Sequence, residues 1–189
     1  MDKVCEKTSA FPGFVVRTVP KKTATLSVLA VVATTELGAI DKKSTKTCFT
    51  DSSWTCRDHK FGKLPNQPEV GPCIITTLVF QRSWSLLEGA AAVLGVRTDM
   101  GSAELGRLLV ERGHTMTLPQ VQEILDGAER SGALEPGSFF FTETGDAKNP
   151  VSVGFVSRDK RGRVAVAHSL GDLFRWNPFN RLMVRHWIR

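Results

Sequence analysis

Apolar positions recur with helical spacing in the middle of the chain and with a period of two towards its end. Leu87, Ala91 and Leu94 fall on one helical face, and Gly95 stops that run. A second run places Leu105, Leu108 and Leu109 together, with Ser102 as the expected N-cap and Gly113 as its stop. Thr117-Leu118-Pro119-Gln120 has the form of a capping box, with Thr at N-cap and Gln at N3. The helix it opens carries Val121, Ile124, Leu125 and Ala128 on one face and is expected to end at Gly132.

After Pro136-Gly137 the period changes to two. Ser138–Glu143, 151–157 and 163–168 read as three strands, with turns at 145–149 and 159–162 and a fourth strand expected over 182–188. Phe179, Met183 and Trp187 also have the four-residue spacing of a short helix face. Ahead of the helices, 14–19 reads as a short strand ended by Pro20, and 23–35, rich in Val, Leu and Thr, as a second. The apolar run Cys73–Phe80 fits a buried strand, or the first turns of a helix continuing through 84–94.

These elements predict an α+β class: N-terminal strands, a central cluster of about three short helices, then an antiparallel β meander at the C-terminus. Residues 1–12 read as a loose terminus and 13–189 as one domain. Within it, 41–72 is a long polar connection, 84–132 the helical layer and 138–189 a sheet and tail. A connection of that length in a compact domain needs something to tie it down.

Charge changes this picture. The 189 residues carry a formal net charge of +6, unevenly placed. Residues 1–81 are net +4, 82–147 net −5, and 148–189 net +7. The attraction for phosphates or an acidic surface is therefore expected in the last segment. With 41% hydrophobic and 23% charged residues, the composition is globular, which excludes collagen-like and wholly disordered chains.

The basic segment is also aromatic. Arg158, Lys160, Arg161 and Arg163 crowd one hairpin turn, and Arg175, Trp176, Arg181, Arg185 and Trp187 follow. Phe174 and Phe179 lie in the same stretch. Guanidinium groups pair with phosphates and aromatic faces stack on bases, so this interleaving of Arg with Trp and Phe suits single-stranded RNA or DNA, and equally an acidic protein or anionic membrane surface. The alternative is that Trp176, Phe179, Met183 and Trp187 close the core and the Arg side chains are merely solvated.

Three other chemistries fit particular residues. Cys48, Cys56, His59 and Cys73 form a Cys3His set suited to tetrahedral zinc and lie on or beside the long connection, although no Cys-x2-Cys knuckle is present. A Cys48–Cys56 disulfide or plain reduced thiols are the competing readings. The order of Cys73, helices, His168 and then Asn177 or Asp172 resembles papain-like cysteine hydrolases in outline, which implies Cys73 as nucleophile, His168 as base and Asn177 as its orienting partner. The surroundings of Cys73 lack the family's Ser-Cys-Trp type of signature. The two helices at 102–113 and 118–131, followed by a hairpin, resemble a winged helix. However, Glu123, Asp126 and Glu129 on the second helix oppose DNA reading.

The apolar stretch 24–39 is too short and polar for a membrane span of roughly 20 residues. It would serve as a secretion signal only if translation began near Lys21; otherwise it reads as a core strand in an intracellular protein. The sequence thus points to a binding protein for an anionic partner rather than an enzyme. The cysteine hydrolase and a regulatory module acting through protein contacts are the alternatives.

Overall fold

Eight residues rich in β-branched and apolar side chains, Cys73–Phe80, are buried or half-buried along their whole length and form a strand between two others. The structure, a computed structural model, describes residues 14–17, 29–37, 54–56, 72–130, 137–159 and 162–187. The expected loose terminus, most of the polar connection and the pair Lys160-Arg161 lie outside the described residues.

The elements in chain order are β1 (Phe14–Arg17), β2 (Leu29–Leu37), β3 (Trp54–Cys56), β4 (Cys73–Phe80), β5 (Trp84–Ser85), α1 (Leu86–Leu94), α2 (Ser102–Glu111) and α3 (Leu118–Arg130). They continue with β6 (Ser138–Glu143), β7 (Val151–Asp159), β8 (Gly162–Ser169), β9 (Arg175–Trp176) and β10 (Arg181–Trp187). Eight strands form one sheet in the order β1-β2-β4-β10-β6-β7-β8-β3, and β5 pairs with β9 in a separate ribbon. The α+β class is as the sequence predicts.

The helices begin and end on local signals, of which the Gly95 stop and the Thr117–Gln120 box were expected and the Ser85–Glu88 box of α1 was not. In α1 the Ser85 side chain accepts from the Glu88 amide (3.2 Å) while Glu88 accepts from the Ser85 amide (2.7 Å). Gly95 closes α1 at φ 67°, a left-handed conformation suited to glycine. The Thr117–Gln120 box of α3 is formed in the same way (3.0 and 3.3 Å). In α2, however, Gly101 is the N-cap and Ser102 is already helical, so no side chain caps this end.

The meander β6-β7-β8 is antiparallel throughout. The fourth C-terminal strand does not extend it. Instead β10 inserts between β4 and β6, antiparallel to the first and parallel to the second. Leu182, Met183 and Val184 are all buried, as befits a central strand covered on both faces. This insertion joins the N-terminal strands and the meander into one sheet, and it replaces the helical alternative for 179–187.

Side-chain alternation then divides the core in two. Phe139, Phe141, Leu182 and Val184 enter one cluster beneath α1 and α2, with Phe80, Trp84, Leu105 and Leu109. Phe140 and Met183 enter the other, with Cys73, Ile75, Met116, Leu118 and Val121 at the start of α3. Helices therefore cover both faces of the sheet. Because α2 and α3 pack on opposite faces, they do not make a helix-turn-helix, and the winged-helix likeness ends at the order of elements.

The chain changes face through a split in the sheet. The parallel strands β10 and β6 pair only from Arg181↔Ser138 to Met183↔Phe140. Beyond that register, residues 113–117 enter the gap. The Met116 amide donates to the Phe141 carbonyl (2.6 Å), and Arg185 Nε donates to the Gly113 carbonyl (3.1 Å). This seam satisfies backbone groups that the missing strand pairing would otherwise leave buried and unpaired.

Candidate functional site

Strand direction separates the predicted binding residues into two groups. Register pairs Arg158 with Arg163 across β7 and β8, two positions beyond the Val156↔Ala165 pair. Val156 in turn pairs with Ser138, and Ser138 with Arg181. Arg158, Arg163 and Arg181 thus share one end of the sheet. Lys160 and Arg161 fall between β7 and β8 in sequence and lie outside the described residues. Arg185 and Trp187 are at the opposite end of β10, where Trp187 is in register with Cys73.

Arg185 is not a surface residue. It is 6% exposed, bonded to the Gly113 carbonyl, and lies in the field of Cys73 and Glu143. Its burial lowers its pKa, an effect those two neighbours oppose. The expectation that Arg185 contacts a partner is therefore corrected: the side chain holds the seam. Nothing in its sequence context distinguishes it from the exposed arginines nearby.

Trp176 is half-buried. Its ring centroid lies 4.0 Å from that of Phe139 and 5.3 Å from that of Phe155. It anchors the connection 170–180, which crosses from the end of β8 to the start of β10 over the α1/α2 face. Arg175 on this strap is exposed and reaches Glu88 (3.6 Å) and the Ser83 carbonyl (3.2 Å). Arg82 meets the same carboxylate (3.5 Å). Two guanidinium groups on one carboxylate leave a local positive excess. The Glu88 carboxyl is held below its ordinary pKa, first by the Ser85 amide and then by these cations, against the opposing effect of burial.

The strap also presents apolar groups to solvent. Leu173 is 97%, Phe179 75% and Phe174 53% exposed. Phe174 packs one side against His168, with centroids 4.6 Å apart. The only hint in sequence is the density of Asn, Pro and Arg around Phe179, which suits a turn better than a core.

Cys73 opens β4 and is fully buried. Gln120 Nε2 donates to its sulfur at 3.0 Å. Burial pushes the thiol pKa up, with Arg185 and Gln120 opposing the shift. As the first residue of a strand, Cys73 receives no help from a helix dipole. His168 is on β8, four strand spacings along the sheet, roughly 19 Å. It packs against Phe174 and Trp176 on the α1/α2 side, whereas Cys73 belongs to the α3-side cluster. Asp172 lies beside His168 (Nδ1 to Oδ2, 3.4 Å), while Asn177 accepts from the Phe179 amide in its own turn (2.9 Å). The structure does not bring Cys73, His168 and Asn177 together.

The zinc set meets a related obstacle. Cys48 and His59 lie outside the described residues. Cys56 is on β3 and Cys73 on β4, five strand spacings apart, roughly 24 Å along the sheet. Two residues so placed do not share one ion. Among the described residues, no group of three His, Cys, Asp or Glu side chains is placed to hold a metal, and no helix is long and apolar enough to cross a membrane. No family model, curated protein or solved structure matches the chain.

Proposed function

We propose that the protein binds a polyanion, RNA or DNA, through the end of the sheet formed by the β7–β8 hairpin and the start of β10. The observation that carries this reading is the Arg158↔Arg163 register pair. Like charges directly opposite on adjacent strands destabilise a sheet. In sequence, Lys160 and Arg161 fall between the two, in a segment of net charge +7. Asp159 is the one carboxylate in the hairpin sequence 158–163. A phosphate backbone is a regular array of negative charge that suits such a cluster, and each neutralised phosphate releases a counterion.

The seam takes no part in this binding. Arg185, Cys73 and Gln120 are occupied with one another or with backbone. An acidic protein surface would satisfy the same cations, but its charges lack the regular spacing of phosphates.

The test is a salt titration of binding to labelled single-stranded RNA and to duplex DNA. It compares the parent protein with a variant carrying Arg158→Ser, Lys160→Ser, Arg161→Ser and Arg163→Ser. The parent is expected to bind with a steep salt dependence, and the variant to lose about 0.7–0.9 of a slope unit for each phosphate contact removed. Identical slopes, or no binding to either nucleic acid at low salt, would refute the reading.

A further inference from the structure

We infer that the strap 170–180 makes the site selective for unpaired bases, with Phe174 and Phe179 as the stacking surfaces. This inference rests on the polyanion reading above and specifies the form of the nucleic acid.

The argument begins with the cost of exposure. Burying a phenylalanine side chain is among the larger single gains a fold can make, yet Phe179 is 75% and Phe174 53% exposed. Neither lies on a frayed end. Asn177 Oδ1 accepts from the Phe179 amide (2.9 Å), and the Asn180 amide donates to the Asn177 carbonyl (3.0 Å). These bonds hold Phe179 at the outer side of a closed turn. Phe174 is propped by His168 on one side and lies 6.0 Å from Trp176, centroid to centroid. The strap is itself fixed, because β9 pairs with β5 at Trp84↔Trp176 and Ser85↔Arg175.

Cations interleave with these rings. Arg175 is next to Phe174 and exposed, and the turn bearing Phe179 leads directly into Arg181 at the start of β10, at the same end of the sheet as the basic hairpin. A base offers a π-face and a phosphate within one residue, which is the pairing this strap presents. In a duplex the base faces are stacked on one another, so exposed rings at a protein surface gain nothing from it. Trp176, the expected platform, is already occupied by Phe139 and Phe155. The stacking role passes to the two phenylalanines.

The experiment uses the full chain with a fluorescein-labelled oligouridylate and a mixed-sequence DNA duplex of equal length. The double variant Phe174→Leu, Phe179→Leu keeps apolar area and removes the aromatic faces. Both sites are exposed, and circular dichroism checks that the fold is retained. The parent should prefer the single strand, and the double variant should bind it about 10-fold or more weakly with duplex affinity unchanged. Equal parent affinities, or an unaltered single-strand affinity in the Leu variant alongside loss in the hairpin Ser variant, would overturn the stacking inference and leave the phosphate reading intact. Absence of binding to both probes would remove both.

Discussion

At the scale of single residues, the buried polar groups behave as parts of the fold rather than as reagents. Gln120 is fully buried, and its carboxamide serves twice: the oxygen accepts from the Thr117 amide and the nitrogen donates to Cys73 Sγ. Gln120→Ala removes the cap and leaves the Thr117 amide buried without its partner. We expect a loss of about 2–3 kcal/mol in urea unfolding, and a variant within 0.5 kcal/mol of the parent, roughly the size of an ordinary surface change, would contradict the assignment. The Cys73 thiol, buried and with its pKa raised, should react with a thiol-directed reagent only as fast as the molecule opens. Labelling of Cys73 in the folded protein as fast as in urea would contradict this. The capping box was legible in sequence because it is a local pattern, four residues long. The burial of Arg185 was not, since it depends on where a strand inserts and not on any neighbour in the chain.

Among elements, the seam between β10 and β6 is where stability should respond to pH. His114 Nδ1 donates to the Arg185 carbonyl (3.1 Å), and its ring meets that of His186 at 5.1 Å. The one titratable group that acts on His186 is His114, while Cys73 and Glu143 act on the neighbouring Arg185. Burial lowers the His186 pKa from 6.5, and His114 lowers it further. The unfolded chain therefore takes up a proton that the folded chain refuses. Stability from this residue is complete above pH 6.5 and declines as pH falls below it, until the folded pKa is reached. The urea midpoint should fall between neutral pH and mildly acidic pH, and His186→Gln should flatten that decline. An unchanged decline would show that other groups cause it. The same scale explains what the period-two pattern conveyed. Alternation located β6 and, to within a few residues, β7, β8 and β10, because it is imposed by the two faces of a sheet. It carried no information on which strand neighbours which, and so the place of β10 between β4 and β6 was not legible. Gly154, opposite Phe140 in the β6–β7 pairing, also shows why an interior glycine belongs there: an added Cβ would strike the Phe140 ring. Gly154→Ala should cost about 1–3 kcal/mol, measurable as a lowered midpoint; a neutral substitution would mean the ring moves freely.

For the molecule as a whole, the arrangement separates two jobs. One end of the sheet is a buried polar seam that lets the chain pass from face to face. The other end gathers Arg158, Arg163 and Arg181, with an exposed Phe179 in the turn leading into β10. The charge asymmetry of the sequence indicated the C-terminal segment, because net charge by segment survives folding. It could not divide that segment between the two ends of the seven-residue β10, since strand direction decides that. For Phe179 the sequence left open a stacking surface or a place in the core, because only the strap's path decides which side of the fold an aromatic residue takes. The most direct test of this division is to follow backbone amide shifts by NMR while an oligouridylate is added. The account predicts perturbations at Arg158, Arg163, Phe174, Phe179 and Arg181, with His114, Gln120 and Arg185 unmoved. Perturbations centred on the seam, with the hairpin end silent, would contradict it.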